Sequence, residues 1–512
     1  MRKVSIIILV LLAGCRMPKF QALREGGADL EVPAVWTGGG GENQGEVTFG
    51  WLRELNDPEL EALVAEAIEH NRDLLAAAAR LRVVHEGTLI ARAGRLPSVT
   101  ASGSASQAKF RSENTAGDLQ PFVTADSARL FLNASWEIDL WGRLADLHHA
   151  AIEDYQAQMA DYRGARLSLA ANTVSAWLNL ITAVQQVELA RETLASFEKN
   201  YRITERNYRA GDPTTSSLAV NFGRNQVASA ERGLIARELG RDEAKRSLEV
   251  LLGRYPAAAI EGRAALPTLT RRVPAGLPSE LLMRRPDLAA AAADLRAAAD
   301  RASAAHKDHL PSIALTGGGS TSAASLDLLK LIRDPDSIAL NVASSLTQPV
   351  YRGGALRARA RQSVARQEAA IATFSSIALR AFREVESALA AERSLAAQET
   401  FLTTEEQVAS LAESQALREY SQGLVDILSV LEAQRRAFNA RSAMISLKNQ
   451  RIQNRIDLYL ALGGDFEAPP TSSSKAAESI EIYPIAEHKP AGLRTNTYVP
   501  GGKPSLPRAD TY

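Results

Sequence analysis

Between residues 130 and 140, Leu130, Leu132, Ala134, Trp136, Ile138 and Leu140 share one parity, while Asn133, Ser135, Glu137 and Asp139 share the other. A second segment repeats the pattern, with Ile338, Leu340, Val342, Leu346 and Val350 set against Asn341, Ser345 and Thr347. Alternation of period two over ten or more residues predicts a strand with one apolar and one polar face. Ahead of each lies a stretch free of Asp, Glu, Lys and Arg, 97–108 and 311–326, in a chain that is otherwise 23% charged. The pattern predicts four strands, at about 97–108, 128–141, 311–322 and 337–350. Strands with one apolar and one polar face are what a membrane β-barrel requires, and a half-exposed sheet in a soluble domain shows the same alternation.

The periodicity then changes. From 144 to 209 there is no proline and a single glycine, Gly164, and Leu167, Ala171, Val174, Leu178 and Ile181 recur at spacings of four and three. The stretch 355–420 also lacks proline and carries Ile371, Phe374, Ala378, Phe382, Val385 and Leu389 in the same rhythm. At about 1.5 Å per residue such a run makes a helix roughly 100 Å long, which needs a coiled coil or an elongated bundle to pack in. Each rod ends at a turn, Ala210-Gly211-Asp212-Pro213 or Gln422-Gly423, and a return helix runs to Gly253 or Gly463. Helices of about 35 residues are also expected from Asp57-Pro58, where Asp suits the N-cap and Pro the first turn, and from near Leu277-Pro278-Ser279.

These elements occur twice in the same order. Asp73-Leu74, Leu81-Arg82 and Leu96-Pro97-Ser98-Val99 return as Asp287-Leu288, Leu295-Arg296 and Leu310-Pro311-Ser312-Ile313, all at an offset of 214. Segment 135–141 returns as 345–351, 208–211 as 420–423 and 251–253 as 461–463, at offsets of 210, 212 and 210. The chain is a tandem duplication of a unit of about 210 residues, 57–253 and 277–467, joined by a link at 254–276. Four strands cannot close a barrel, and an open sheet is not viable in lipid, so a membrane location requires oligomerisation. Three chains would supply twelve strands.

The N-terminus has its own logic. Met1-Arg2-Lys3 precedes an apolar run from Val4 through Ala13, broken only by Ser5. This is the form of a secretory signal (residues 1–14), too short to span a bilayer as a helix. The single cysteine of the chain follows at once, in Leu12-Ala13-Gly14-Cys15, which resembles the bacterial lipobox. That places a covalent lipid on Cys15, with 15–56 as a lipidated N-terminal segment and the outer membrane as the destination, since Arg16 follows instead of Asp. No later segment reads as a transmembrane helix. Residues 468–512 are rich in Pro, Ser and Gly and read as a disordered tail.

Composition removes most other chemistries. The 59 Lys+Arg equal the 59 Asp+Glu, so the net charge is zero, and only 5% of residues are aromatic, which disfavours a nucleic-acid partner. One cysteine excludes an intramolecular disulfide framework and every multi-cysteine metal site. There is no P-loop, dinucleotide fingerprint or nucleophile elbow, and no catalytic residue is assigned. His306 and His309 flank Asp308, and His148-His149 lie near Asp146, but all sit at helix–strand junctions where polar caps are expected. Trp141 and Tyr351, at equivalent ends of their segments, suit either an interfacial aromatic girdle or packing below the barrel.

Three motifs, Asp57-Pro58-Glu59-Leu60, Leu277-Pro278-Ser279-Glu280-Leu281-Leu282 with Arg285-Pro286-Asp287-Leu288, and Ala461-Leu462-Gly463-Gly464, give the chain a resemblance. Nearly everything from Cys15 to Phe466 resembles the TolC-like outer-membrane efflux proteins, in the lipoprotein branch of the NodT or OprM type. The resemblance implies a mixed α and β membrane protein: a homotrimer with a twelve-stranded β-barrel, four strands per chain, continuing into a twelve-helix α-barrel across the periplasm. It implies an equatorial region built from the N-terminal segment, the 254–276 link and the C-terminal part. It also implies a passive, non-enzymatic exit duct for small toxic compounds, coupled by a periplasmic adaptor protein to an inner-membrane pump of the RND type. No cofactor is implied beyond the lipid on Cys15. A closed periplasmic gate would involve Tyr420, Asp426 and Glu432, with Val425 where some members carry arginine. Gly211, Asp212, Gly423 and Leu424 fall at the tips that meet the adaptor, and the first tip departs from the family's usual Gly-Leu-Val. A duct for secreted polypeptides, or a periplasmic scaffold lipoprotein with no channel, are the competing functions.

Overall fold

The computed structural model describes residues 35–38, 50–111, 117, 119–212, 215–263, 265–268, 284–326 and 328–464. The signal segment, Cys15, the expected helix start at 277–279 and the tail at 468–512 lie outside the described residues.

Asp57 starts the first helix after one 3-10 turn, Trp51–Leu55. Its carboxylate accepts from the backbone N–H groups of Glu59 at 3.2 Å and Leu60 at 3.3 Å, and Pro58 follows, where a missing N–H costs nothing. The expected 35-residue helix is in fact two, α1 Pro58–His70 and α2 Arg72–Ala93. Asn71 divides them with extended backbone. Its side-chain oxygen accepts from the N–H groups of Asp73 and Leu74, capping α2, while its amide donates to the Leu251 carbonyl at 2.9 Å. A short amide side chain that can satisfy backbone groups competes with the helix it interrupts.

The two rods are α3 Arg143–Arg209 and α7 Ala355–Ser421, 67 residues each, and their return helices are α4 Ser217–Leu251 and α8 Ile427–Ala461, 35 residues each. The second half contains α5 Pro286–Lys307, the duplicate of α2, preceded by Arg285 in the extended conformation that a following proline favours. A short α6, Leu328–Arg333, completes the set. Helix α3 packs on α4, α5 and α8, and α5 packs on α7, so the hairpins form one bundle. Its core lies where α1, α3, α4, α7 and α8 converge, with Leu60, Trp177, Leu178, Leu180, Ile181 and Leu248 fully buried. Trp51 stacks on Tyr459 there, centroids 5.7 Å apart.

Helix α3 contains an 18-residue window of mean hydropathy 1.4, long and apolar enough to cross a membrane by composition alone, contrary to the expectation that no such segment exists. Half of that window is buried inside the chain. The apolar stretch of α3 is the packed core of the bundle, including Ala170, Ala171, Val174, Trp177 and Leu178.

The strands β1 Ser98–Phe110, β2 Val123–Ile138, β3 Ser312–Ala323 and β4 Ser337–Thr347 form one antiparallel sheet in the order β1-β2-β3-β4. β2 ends at Ile138 and not at 141, because the Asp139 carboxylate turns to accept from the N–H groups of Leu144 at 3.0 Å and Ala145 at 2.7 Å, capping α3. β4 ends at Thr347, just before Pro349, which has no N–H for a ladder. Trp141 therefore stands beyond β2, its indole donating to the Pro311 carbonyl at 2.7 Å, and Tyr351 stands beyond β4, exposed.

Beyond α4 the chain is held by a buried carboxylate. Glu249 accepts from the backbone N–H groups of Ala258 (2.7 Å), Ala259 (2.6 Å) and Ile260 (3.1 Å). Burial alone would raise its pKa, but these donors outweigh it and hold the carboxyl below its ordinary range. Lys245, buried, adds a 2.8 Å ion pair to Glu261.

Candidate functional site: the sheet wall and the helical tips

Register assigns every strand residue to a face. Leu132 pairs with Ala101 and Gly319, and Gly319 pairs with Leu340, so these residues share one face with Val99, Leu130, Trp136, Ile313, Ile338, Val342 and Leu346. The opposite face carries Ser98, Thr100, Ser102, Ser104 and Ser106 on β1, Ser127, Asn133 and Ser135 on β2, Thr316, Ser320 and Ser322 on β3, and Asn341 and Ser345 on β4. The apolar face is bare: Leu340 is 84% and Val342 91% exposed within the chain. Among the described residues β1 and β4 each pair on one side only, leaving two open edges.

At the far end of the bundle, the α3–α4 and α7–α8 turns border one groove of about 830 Å³. Asp212 from the first turn and Tyr420, Gly423, Leu424 and Asp426 from the second line it, together with Asn200 and Arg206. Gly211 and Gly423 both take positive φ, 76° and 73°, to reverse the chain. Leu424 is 70% exposed at the very tip. The Tyr420 hydroxyl meets the Thr204 hydroxyl at 3.2 Å, linking α7 to α3, and its ring packs against the cluster of Phe197, Ala219, Ile427, Val430 and Leu431.

Asp426 is the N-cap of α8, accepting from the Ser429 N–H at 3.0 Å and its hydroxyl at 2.8 Å, which together hold its carboxyl below the ordinary range. Among the described residues it serves its own helix instead of pairing with a basic residue. Glu432 does not line the groove. Arg436 and Arg435, on the same helix, hold its carboxylate at 2.8 Å and 2.6 Å and depress its pKa. An inter-helix amide bridge went unforeseen: buried Asn200 donates to Gln434 at 2.8 Å, and Gln434 donates to Ser196. Its only signal was polar residues on otherwise apolar helix faces.

No group of three or more His, Cys, Asp or Glu among the described residues is arranged to hold a metal ion. His309 turns its ring to the His306 carbonyl, and burial, then His309, lowers the pKa of His306. The larger groove of about 980 Å³ on the bundle is bridged by Arg285, which pairs with Asp287 and Glu384 at 2.8 Å each and donates to the Ala461 carbonyl. These groups tie helices together.

This arrangement has known counterparts. The outer membrane efflux protein family matches residues 63–254 and 277–464, one segment in each half of the duplication. The outer membrane protein OprJ of Pseudomonas aeruginosa is 31% identical over 468 residues, 90% of this chain and 95% of that protein. The cation efflux system protein CusC of Escherichia coli is 31% identical over 425 residues, 82% of this chain and 88% of that protein. Among solved structures, the outer-membrane channel OprN superposes with a TM-score of 0.76 at 25% identity, covering 88% of this chain and 99% of that one. With two similar half-chains, a four-stranded wall and two long hairpins, the chain belongs to the outer membrane efflux protein family, channels of the outer membrane whose helices extend into the periplasm.

Proposed function

We propose that three copies close a twelve-stranded β-barrel in the outer membrane and a twelve-helix tunnel below it, forming a passive exit duct for small toxic or amphipathic compounds. A periplasmic adaptor would couple the duct to an inner-membrane pump of the RND type. The observation that carries this reading is the sheet with two open edges and a bare apolar face. In lipid each unpaired backbone group costs several kcal/mol, and pairing β4 of one protomer with β1 of the next removes both edges at once. The serine-rich face then lines the lumen and the leucine-rich face meets lipid.

Cross-linking tests it. Cys15 is the only native cysteine, and its sulfur would be blocked by the lipid as a thioether, so introduced cysteines report without background. Ala101→Cys combined in turn with Ile338→Cys, Leu340→Cys and Val342→Cys should give disulfide-linked species that stop at three chains. No linkage at any register, or a ladder running past three, would refute the barrel. In the same preparations, wild type should incorporate labelled palmitate and Cys15→Ser should not.

The tips supply the periplasmic gate in this reading. Tyr420 is its main element, since its ring and hydroxyl bridge α7 to α3, with Asp426 and Glu432 fixing the start of α8. Gly211, Asp212, Gly423 and Leu424 face the adaptor. Tyr420→Ala should raise single-channel conductance in planar bilayers, and an unaltered closed state would remove Tyr420 from the gate.

A further inference from the structure

The serine-lined face of the sheet is almost free of charge. On that face β1, β3 and β4 contribute no ionisable side chain, and β2 contributes Arg129 and Glu137. Glu137, at the helical end of the strand, is paired with Arg143 at 2.8 Å. Arg129 is different. Its cross-strand partners are Ser104 and Ser322, its neighbours along the same face are Ser127 and Phe131, and it is exposed. None of these neighbours is anionic. Ser322 is the last residue but one of β3, so Arg129 stands in the outer half of the sheet, away from the long helices. Asp126, three residues earlier, has the opposite parity and is hydrogen-bonded to Gln107.

Beyond Arg129 the strand ends and connecting segments carry both signs, Lys109, Arg111, Lys330 and Arg333 against Glu113, Asp118, Asp327, Asp334 and Asp336, so Arg129 is the charge that distinguishes the wall. Lys109 and Arg111 lie 5.5 Å and 5.6 Å from the centre of the Phe122 ring, at the β1–β2 loop.

We propose that Arg129 makes the outer half of the lumen an anion-attracting ring, so that the duct releases compounds bearing carboxylate, sulfonate or phosphate groups more readily than organic cations. The inference rests on the trimeric barrel, which turns one arginine into three around a single passage. Guanidinium stays charged at any physiological pH. Rings of Arg or Lys favour anions in pores, and low-dielectric walls focus the field of a few fixed charges. Three cations in a wall of serine hydroxyls attract an anion without holding it, which a passive exit requires.

The reporter is Ser104→Cys, directly across from Arg129, in the full-length protein reconstituted into vesicles. Its reaction rates are compared for two thiol reagents of similar size and opposite charge, sulfonatoethyl and trimethylammonioethyl methanethiosulfonate. The ratio of anionic to cationic rate should fall at least about fivefold on adding Arg129→Gln and recover with Arg129→Lys. An unchanged ratio in Arg129→Gln, with Ser104→Cys still reactive, would overturn the ring while leaving the barrel intact. Leu130→Cys, on the other face, separates the two readings. If it reacts with both reagents and Ser104→Cys is silent, the sheet is turned the other way, and the barrel reading fails together with the inference built on it.

Discussion

Replacing Asp57 by alanine should cost the fold about 3–5 kcal/mol, enough to lower the recovery of folded protein sharply. Four partners converge on this buried carboxylate. Two are the N–H groups that begin α1. The third is the indole of Trp177 on α3, donating at 3.0 Å, and the fourth is Arg263 in the link, at 2.9 Å. Trp177 is completely buried, so without Asp57 its indole N–H has no water to turn to. Losing the cap adds about 1 kcal/mol. Asp57→Asn keeps one oxygen, which can still cap α1, but its NH2 then faces the Trp177 indole N–H, so the variant gives up the indole's acceptor as well as the charge facing Arg263. Since Arg263 is 47% exposed, that ion pair contributes about 1 kcal/mol or less, and Arg263→Ala should be mild. Thermal unfolding followed by circular dichroism should rank wild type first, then Arg263→Ala, then Asp57→Asn, with Asp57→Ala lowest. Equal midpoints for Asp57→Ala and Asp57→Asn would show that the cap acceptor does not matter.

Asp57 also marks what can be read from a chain like this one. Its role as N-cap follows from two adjacent residues, Asp57 and Pro58, because capping is local. Its bond to Trp177 spans 120 positions and has no local sign. The same division runs through the molecule. The rods were legible because 3.6-residue periodicity survives over 67 residues, and the strands because alternation and lack of charge coincide. The break at Asn71 was not, since what fixes it is the carbonyl of Leu251, reached only after the chain has run out and back. The end of β2 was misplaced for a related reason: Leu140 continues the alternation, but Asp139 prefers the free N–H groups of α3 to another ladder position. At the tips, Tyr420 and the two turn glycines were visible through the duplication and the family resemblance. The capping by Asp426, through Ser429 three residues on, is as local as that by Asp57, whereas the Asn200–Gln434 bridge depends on how two hairpins meet, which no periodicity encodes.

The duplication itself supplies the second large effect, at Gly253. This glycine ends α4 with φ of 72°, and a Cβ there would lie 2.6 Å from the His70 carbonyl oxygen and 3.1 Å from its carbon. Gly423, at the second tip, has nearly the same φ of 73° and nothing within 4 Å. Alanine in left-handed backbone costs about 1–2 kcal/mol at either place. At Gly253 the methyl group must also push back the end of α1. That end is pinned by the Asn71 amide on Leu251 and by Arg254, which grips Glu66 through two bonds of 2.6 Å. The neighbour cannot yield cheaply, and Gly253→Ala should cost about 3–4 kcal/mol in all. Its duplicate Gly463 faces the backbone of Arg284 at 3.0–3.1 Å, a looser fit, so Gly463→Ala should fall between the other two. Unfolding midpoints should therefore follow the order Gly423→Ala, Gly463→Ala, Gly253→Ala from mildest to most severe. If all three shift equally, backbone handedness alone is decisive and the contact with His70 contributes nothing. Because Gly423→Ala leaves the bundle packed, any loss of efflux it causes in cells reports on the tip and not on the fold.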